Sequence, residues 1–261
     1  MAGESKRGEA VARRIRRTAK RTARNIISQY ADSSFKPMQM EFVFGQNGIS
    51  PILLELADGT FVYLQGRIDR IDMTADGAVR IIDYKSGGKK FDPTLVYWGL
   101  QLQLLLYMAA AVARIPESRA AGFFYCRVAD PTVKTEIRMK EEVEKQIAKK
   151  LALSGITLSD VSILRAQGGA QAGMVTKDGK PNGRYASSMV TDEGMEHLIA
   201  FARNKATTLA GDIYAGIIDD SPYERGSLNA CQSCDYAPIC TFDPERKPRR
   251  RLSTKTLDDL F

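Results

Sequence analysis

The amino-acid sequence predicts an α/β fold in which a central mixed β-sheet is flanked by helices. Strand-like segments fill residues 40–88, a long helix-like segment runs from Leu95 to about Ile115, and a further strand-like segment follows at AAGFFYCRV. A helix that joins strands of one sheet usually covers a face of that sheet. We therefore expect one α/β core with an appendage at each end.

The first 30 residues predict a basic amphipathic helix. Nine Lys and Arg face two Glu in this stretch, which accounts for the whole net charge of +7. Apolar residues recur at four-residue intervals, so one narrow stripe should pack against the core; they are Val11, Ile15, Ala19, Ala23 and Ile27. The opposite face would bind nucleic acid through Arg13, Arg14, Arg16 and Arg17, although a solvated helix face is an equally ordinary interpretation.

Four strand-like segments follow the basic helix. Each is rich in β-branched and aromatic residues, and turn signals separate them. The segments are MEFVFG, PILLELADG, FVYLQGRIDRID and AVRIIDYKSGG, with turns at Asn47-Gly48, Asp58-Gly59 and Asp76-Gly77. This pattern predicts a β-meander of up to four strands.

The remainder of the chain predicts mainly helices. The Leu/Ala-rich segment from Leu95 has no helix breaker apart from Gly99, and AAGFFYCRV has the composition of a fully buried strand. Two later helices are predicted at residues 139–153 and 191–215, the second with Thr191 as its N-cap. Residues 154–190 show little pattern beyond a turn at Lys177-Asp178-Gly179.

These elements divide the chain into four parts. We expect a basic N-terminal helix at 1–30, a core at 31–222, a cysteine-rich segment at 223–244 and a basic flexible tail at 245–261. No apolar run approaches the roughly 18 residues of a spanning helix, and no signal peptide is visible. We therefore expect a cytoplasmic protein.

The chemistry-bearing residues cluster at Asp83-Tyr84-Lys85, which closes an apolar strand. Period-two geometry puts Asp83 and Lys85 on one face and Tyr84 on the other. Asp69 ends the preceding predicted strand, and an antiparallel return at Asp76-Gly77 would bring it near Asp83. A lone Asp-x-Lys is usually an exposed ion pair, so the combination carries the prediction.

This combination suits metal-dependent hydrolysis of a phosphodiester. Oxygens of Asp69 and Asp83 and the carbonyl of Tyr84 are hard ligands for Mg²⁺ or Mn²⁺, and Glu41 is a candidate for a further ligand. Lys85 would position the attacking water or stabilise the transition state. Gln103 and Tyr107 stand at i and i+4 on the long helix, so both should project toward this site.

The four cysteines divide into a cluster of three and a single residue. Cys231, Cys234 and Cys240 form a Cys-x-x-Cys-x5-Cys pattern in a turn-rich segment, which favours a metal site over buried thiols. Zinc and iron-sulphur both accept thiolates, and the spacing does not separate them. Cys126 lies in the apolar strand and is interpreted as a core residue.

The motifs GRIDRID, IIDYKSG and VYWGLQLQLLLY resemble the PD-(D/E)xK nuclease domains of the RecB family, within the restriction-endonuclease-like superfamily. The similarity is greatest to the nuclease domains of the AddB subunits of bacterial AddAB helicase-nucleases. It extends over nearly the whole chain, including SSFKPMQMEFVFG, FFYCRVADP and the cysteine-rich end. The family histidine has no counterpart, since His197 lies far downstream and is interpreted as a surface residue.

The resemblance implies roles for individual residues. Asp69 and Asp83 would be metal ligands, Lys85 the catalytic lysine, and Gln103 and Tyr107 an accessory pair. Cys231, Cys234 and Cys240 would hold a 4Fe-4S cluster, with a fourth ligand from a distant upstream cysteine. No cysteine precedes the nuclease motifs here, so we expect an N-terminally incomplete chain that binds iron poorly by itself.

The resemblance also implies an activity and partners. The chain would be a Mg²⁺-dependent or Mn²⁺-dependent DNA exonuclease acting on single strands at duplex ends, in double-strand break repair by recombination. A helicase chain of AddA type would be its partner, because no Gly-x-x-x-x-Gly-Lys-Ser/Thr loop for ATP occurs here. The alternatives are a non-catalytic DNA-binding or assembly module stapled by a metal cluster, and a zinc-ribbon binding protein.

Overall fold

The computed structural model describes residues 6–46, 49–133 and 140–261. The predicted Asn47-Gly48 turn and the first residue of the predicted helix at 139–153 lie outside these ranges. The helices are α1 Lys6–Ala31, α2 Pro93–Tyr97, α3 Gln103–Arg114, α4 Lys140–Leu151, α5 Val161–Ala166 and α6 Asp192–Tyr214. Short 3-10 helices occupy Gly169–Met174, Gly183–Ser188, Ala230–Ser233 and Asp258–Leu260.

The strands form three sheets. Their bounds are β1 Lys36–Phe44, β2 Ile52–Glu55, β3 Phe61–Leu64, β4 Gly66–Met73, β5 Ala78–Lys85, β6 Arg119–Arg127, β7 Ser154–Leu158, β8 Met189–Val190, β9 Tyr223–Arg225, β10 Leu228–Asn229 and β11 Arg250–Arg251. The largest sheet has six strands in the order β1-β4-β5-β6-β7-β8. It pairs β4 with β5 antiparallel and β5 with β6 parallel. The predicted central mixed sheet flanked by helices is therefore confirmed.

The predicted meander is wrong in one respect. The segment FVYLQGRIDRID forms two strands, because the chain changes pairing partner at Gln65. The first half pairs with β2 in a separate hairpin, and the second half pairs with β1 in the central sheet. An alternating pattern reports extended backbone and says nothing about which strand lies beside it.

The predicted long helix is also divided in two. Gly99 adopts a φ of +79°, a left-handed conformation that ends α2, and α3 begins only at Gln103. A Cβ at Gly99 would lie 2.8 Å from Leu209 of α6, so α6 occupies the space that a side chain would need. Close approach of α6 therefore favours the break.

Helices cover both faces of the sheet at its centre. The α3 side chains Leu104, Leu105 and Met108 are buried in the main core with Ile81 of β5 and Phe123 of β6. Period two places Asp83 on that same face of β5. The C-terminal end of α1 covers the other face, where Gln29 donates to the Cys126 sulphur at 3.7 Å. Residues 140–151 and 192–214 are helical as predicted, and Thr191 caps α6 through the Gly194 amide.

The predicted apolar stripe of α1 does not pack. Val11, Ile15 and Ile27 are 51%, 63% and 68% exposed. The buried contacts of α1 lie near its C-terminal end, where Gln29 is buried and the Tyr30 ring lies 4.9 Å from the Arg70 guanidinium. The four-residue spacing correctly predicted an amphipathic helix. The face that it predicted to be buried is exposed.

The C-terminal segment is packed, in contrast to the flexible tail expected at 245–261. Leu252 and Leu260 are 6% and 2% exposed. The Lys255 amide donates to Thr94 Oγ1 at 2.9 Å, and the Trp98 indole donates to the Ser253 carbonyl at 3.2 Å. Buried Leu252 and Leu260, with partly buried Leu257, supply apolar area that holds the segment on the core, and its 3-10 helix at Asp258–Leu260 contacts α2 and α6. None of the described helices is long and apolar enough to cross a membrane.

Candidate active site

Asp83 and Lys85 meet on one face of β5, as their spacing predicts. Asp83 is 1% exposed, and the Lys85 Nζ lies 2.6 Å from its Oδ2. Burial raises the pKa of the Asp83 carboxyl and the nearby Asp69 charge raises it further, while Lys85 lowers it. The site therefore holds a carboxylate whose charge is only partly offset by its lysine.

Asp69 lies beside Asp83 on the neighbouring strand. The register of β4 and β5 pairs Arg70 with Ile82, so the next positions outward are Asp69 and Asp83. Asp69 does not end its strand, since β4 continues to Met73. Its Oδ2 accepts a hydrogen bond from the Tyr84 amide at 2.8 Å. The Asp69 carboxylate thus accepts a hydrogen bond from the β5 backbone at the point where the backbone pairing of β4 and β5 ends.

The two carboxylates fit a divalent cation of the Mg²⁺ type. Such an ion keeps several waters and is commonly bound by one or two protein carboxylates. Asp83 Oδ2 is buried and, apart from its ion pair with Lys85, accepts no hydrogen bond from the described residues. A buried carboxylate oxygen that accepts no hydrogen bond is available as a metal ligand. The carbonyl of Tyr84 stays a predicted ligand.

Glu41 is not brought into a cluster with the two aspartates. Its Oε2 lies 3.0 Å from the Arg67 Nε, and both side chains are well exposed. The backbone of Glu41 has a φ of +52°, which distorts β1 at this position. Within the described ranges no three acidic, cysteine or histidine side chains are grouped to hold a metal. The predicted role of Glu41 as a further ligand therefore has no support from its contacts.

Gln103 and Tyr107 contact each other at the start of α3. The Gln103 Nε2 donates to the Tyr107 hydroxyl at 2.9 Å. The Tyr107 ring packs edge-on against Phe44 of β1 at 5.9 Å between centroids. A Cβ at Gly66 would lie 2.8 Å from the Phe44 ring and 3.2 Å from the Tyr107 ring. The glycine of the GRIDRID motif thus allows α3 to approach the β1–β4 pair.

A buried charged network lies on the opposite face of β4 and β5, and sequence reasoning missed it. Arg70, Asp72 and Arg80 are each 0% exposed. Asp72 accepts from both guanidinium groups, Arg70 also donates to the Tyr84 hydroxyl at 2.5 Å, and Arg80 to Gln167 at 2.8 Å. The signal was present in GRIDRID, where charged residues occur on both period-two faces. The network supports the strands that carry Asp69 and Asp83.

Gln101 is a second residue that the sequence did not single out. Its side chain is 3% exposed, accepts from the Asp92 amide at 2.8 Å and donates to the Lys90 carbonyl at 2.7 Å. These bonds hold the loop between β5 and α2 against the start of α3. The two-residue spacing from Gln103 was the available signal, since an apolar segment has little use for either amide.

The three clustered cysteines lie in the turn-rich segment between β10 and β11. Cys231 is half-buried, and Cys234 and Cys240 are exposed. The Cys234 amide donates to the Cys231 carbonyl at 3.4 Å, and the Phe242 amide donates to the Cys240 sulphur at 3.5 Å. Cys126 is fully buried in the sheet beside Gln29, and burial is the main cause that raises its thiol pKa.

The arginines of α1 project from an exposed helix and are only partly neutralised. Arg17 forms an ion pair with Asp130 at 3.0 Å, and Arg13 lies 3.8 Å from Glu9. Arg14 and Arg16 form no ion pair with the described residues. His197 is exposed on α6 near Phe261 and is far along the chain from the nuclease motifs.

Known proteins are similar to this chain over most of its length. Residues 2–241 match the family model of the PD-(D/E)XK nuclease superfamily. The chain is 36% identical over 248 residues to an ATP-dependent helicase/deoxyribonuclease subunit from Alkaliphilus metalliredigens, covering 88% of this chain and 21% of that protein. The same-named protein of Acetivibrio thermocellus is 35% identical over 276 residues, or 98% of this chain and 24% of its own length.

A protein of that name from Clostridium botulinum strain Hall is 36% identical over 92% of this chain and 22% of its own length. The chain therefore spans less than a quarter of the relatives it matches.

Proposed function

Because this chain belongs to the PD-(D/E)XK nuclease superfamily, we propose that it hydrolyses DNA phosphodiester bonds as the nuclease module of a helicase-nuclease. The observation that carries the proposal is the meeting of Asp69, Asp83 and Lys85 on adjacent strands, with the lysine ammonium 2.6 Å from the buried Asp83 carboxylate. Two carboxylates and an ammonium at one sheet position suit phosphate chemistry.

Asp69 and Asp83 are the side chains that would hold Mg²⁺ or Mn²⁺. The bound ion would offset the negative charge that builds on the phosphate and make a coordinated water a better nucleophile. Lys85 extends from the same face, and its Nζ has donors left to orient the attacking water or a phosphate oxygen. Asp83 holds the Lys85 ammonium in place for that task. The Asp69 carboxylate is itself held by the Tyr84 amide, which limits its rotation.

The substitution Asp83→Ala tests the proposed chemistry. It removes one carboxylate ligand and the partner of Lys85, so we expect Mg²⁺-dependent release of nucleotides from labelled linear DNA to fall by about 10²–10³-fold or more. Exposed Asp178→Ala, on the turn at residues 177–179, is the matched control and should cleave like the parent. Cleavage retained in Asp83→Ala, or cleavage unaffected by a chelator, would remove this site from consideration.

The relatives' names suggest the partner, the resemblance to the RecB family suggests the process, and both are part of the proposal. Proteins named as subunits of an ATP-dependent helicase/deoxyribonuclease match this chain over most of its length. A helicase chain of AddA type would feed single strands from duplex ends to this nuclease in the cytoplasm. We propose exonuclease action in double-strand break repair from the resemblance of the GRIDRID and IIDYKSG motifs to the RecB family.

We further propose that Cys231, Cys234 and Cys240 hold a 4Fe-4S cluster. The amide of Phe242 directed at the Cys240 sulphur supports this, since such hydrogen bonds stabilise metal-bound thiolates. The remaining cysteine, Cys126, is buried against Gln29. Among the described residues no three cysteine, histidine or acidic side chains are grouped to hold a metal, and this includes Cys231, Cys234 and Cys240. The chain thus offers three thiolates to a cluster that takes four.

Anaerobic reconstitution measures this directly. We expect the 261-residue chain to bind iron and sulphide weakly and below stoichiometry, and Cys234→Ser to remove what binds. Cys126→Ser should leave the bound iron unchanged. A full cluster that disappears in Cys126→Ser would overturn the assignment, and zinc in place of iron on elemental analysis would favour a zinc site.

A further inference from the structure

Strand β6 presents two polar side chains on the active-site face of the sheet. The parallel register of β5 and β6 pairs Asp83 with Tyr125 and Lys85 with Arg127. Paired residues of adjacent strands lie on the same face, with the strands about 4.8 Å apart. Tyr125 and Arg127 are therefore the direct neighbours of the proposed catalytic pair.

Both residues have polar atoms without a partner. Tyr125 is 2% exposed, and its buried hydroxyl makes no hydrogen bond with the described residues. The Nε of Arg127 is in the same state, and Arg127 forms no ion pair within that part of the chain. Folded proteins rarely leave such donors unsatisfied, because a buried donor without an acceptor has lost its hydration without replacement. Two of them side by side indicate a missing acceptor.

A cavity of about 680 Å³ opens beside these two side chains. Its charged lining is entirely basic among the described residues and consists of Lys89, Lys90, Arg127, Lys149 and Lys150. The Lys89 Nζ lies 5.2 Å from the centre of the Tyr125 ring. Five cations without a facing carboxylate favour an anionic occupant. Because Gln101 holds the Lys90 carbonyl, the loop that carries Lys89 is fixed in place.

We propose that Arg127, Lys89 and the Tyr125 hydroxyl form a phosphate subsite that binds a backbone phosphate of the DNA strand next to the scissile one. The inference rests on the proposed nuclease function and adds the position of the DNA strand in the site. Arg127 is the register partner of Lys85, so its long side chain would reach a phosphate adjacent to the one that the proposed site holds at Asp83 and Lys85. Guanidinium and phenol donors both suit phosphate oxygens.

Binding without cleavage tests the subsite. Fluorescence anisotropy would follow a labelled oligothymidylate of about 20 nucleotides with the whole chain in chelator, at several salt concentrations. We expect Arg127→Ala to weaken binding about 10-fold and to reduce the slope of log K against log salt by about 0.7, the value for one lost contact to a single strand. Tyr125→Phe removes only the hydroxyl and should weaken binding by a smaller factor.

Arg114→Ala is the matched control. Arg114 is an exposed arginine at the far end of α3, away from Lys85 and the cavity. The Arg114→Ala variant should leave both the oligonucleotide affinity and the salt slope unchanged. Arg127→Lys keeps the charge and should restore the slope but only part of the affinity, because it lacks the guanidinium fork. Thermal melting of each variant separates lost binding from lost folding.

The result that overturns the subsite is an oligonucleotide affinity and salt slope in folded Arg127→Ala equal to those of the parent. Failure of the parent chain to bind the oligonucleotide would overturn it too. If Arg127→Ala weakens binding of thymidine monophosphate alone, the cavity takes a free nucleotide and the strand subsite is wrong. Parent cleavage with Mg²⁺ is scored separately, so a chain that binds through Arg127 without cutting would refute only the nuclease function.

Discussion

At the scale of single residues, the proposed catalytic role of Asp83 conflicts with the stability of the fold. Its carboxylate is buried on both sides by β4 and β6, and its partner Lys85 keeps 29% of its side chain exposed. Burial raises the Asp83 pKa because the charged form loses hydration that one lysine does not replace. Without a metal ion, the charged carboxylate therefore destabilises the fold.

Asp83→Asn should stabilise the metal-free protein at neutral pH. The amide has nearly the same shape and carries no charge, and the half-exposed Lys85 can be solvated instead. We expect the melting temperature in chelator to rise by about 2–4 °C, the shift that 1 kcal/mol gives in a chain of this size. Differential scanning calorimetry checks this.

The stabilisation by Asp83→Asn should increase as the pH rises. A carboxyl whose pKa is raised by folding binds its proton more tightly in the folded state, so the parent loses stability as pH rises from the ordinary pKa of 3.8 to the folded value. The asparagine variant has no such loss. The advantage should be absent well below pH 3.8 and complete above the folded pKa; a lower melting temperature for Asp83→Asn at neutral pH would contradict this account.

At the scale of elements, one glycine determines how α3 meets the sheet. Gly66 starts β4, and the rings of Phe44 and Tyr107 pack directly over it. The hydrogen bond between Gln103 and Tyr107 depends on that placement of the tyrosine ring. The motif glycine therefore has a packing role that its place in the sequence pattern did not reveal.

Gly66→Ala should destabilise the chain by about 1–3 kcal/mol, because a methyl group would stand 2.8 Å from the Phe44 ring. Urea unfolding would measure it. Gly183→Ala is a suitable control, since a Cβ there meets nothing within 4 Å. Shortening the obstructing ring with Phe44→Leu should recover part of the loss in the double variant. Equal stability of Gly66→Ala and the parent would show that the rings move aside freely.

At the scale of the whole molecule, two surfaces carry a concentration of positive charge. The exposed part of α1 carries Arg13, Arg14, Arg16 and Arg17, and the cavity beside β6 carries five more cations. Arg17 is held by Asp130, which leaves it less available than Arg14 and Arg16. The electrostatic contribution to binding should therefore come unequally from the four arginines.

Replacing all four helix arginines with glutamine should weaken DNA binding and flatten its salt dependence. The slope of log K against log salt should fall by about 0.7–0.9 for each phosphate contact that is lost. Anisotropy titrations across a salt series would measure the slope. The control is a variant that replaces four exposed cations elsewhere with glutamine and so loses the same charge; they are Arg114, Lys177, Lys180 and Arg246. An unchanged slope for the helix variant would mean that α1 does not contact DNA.

Much of the fold could be predicted from local sequence patterns, because these patterns depend on short-range backbone geometry. β-branched and aromatic composition between turn signals identified the strands before α2, Thr191 marked the start of α6, and two-residue spacing placed Asp83 with Lys85. Each depends on backbone geometry within a few residues, which sequence specifies directly. The break at Gly99 was signalled by its residue type, but the prediction gave it too little weight.

Contacts between distant segments were decided only in three dimensions. Leu252 and Leu260 hold a tail that composition described as flexible, and the exposed face of α1 is not the one that its spacing favoured.

By itself, then, the sequence determined the α/β class and the Asp69, Asp83 and Lys85 set. The tertiary structure decided that Glu41 pairs with Arg67 and that Tyr125 and Arg127 lie beside Asp83 and Lys85. The physical reason is that residue spacing sets which face of its own strand a side chain occupies. The neighbouring strand depends on burial summed over the whole core.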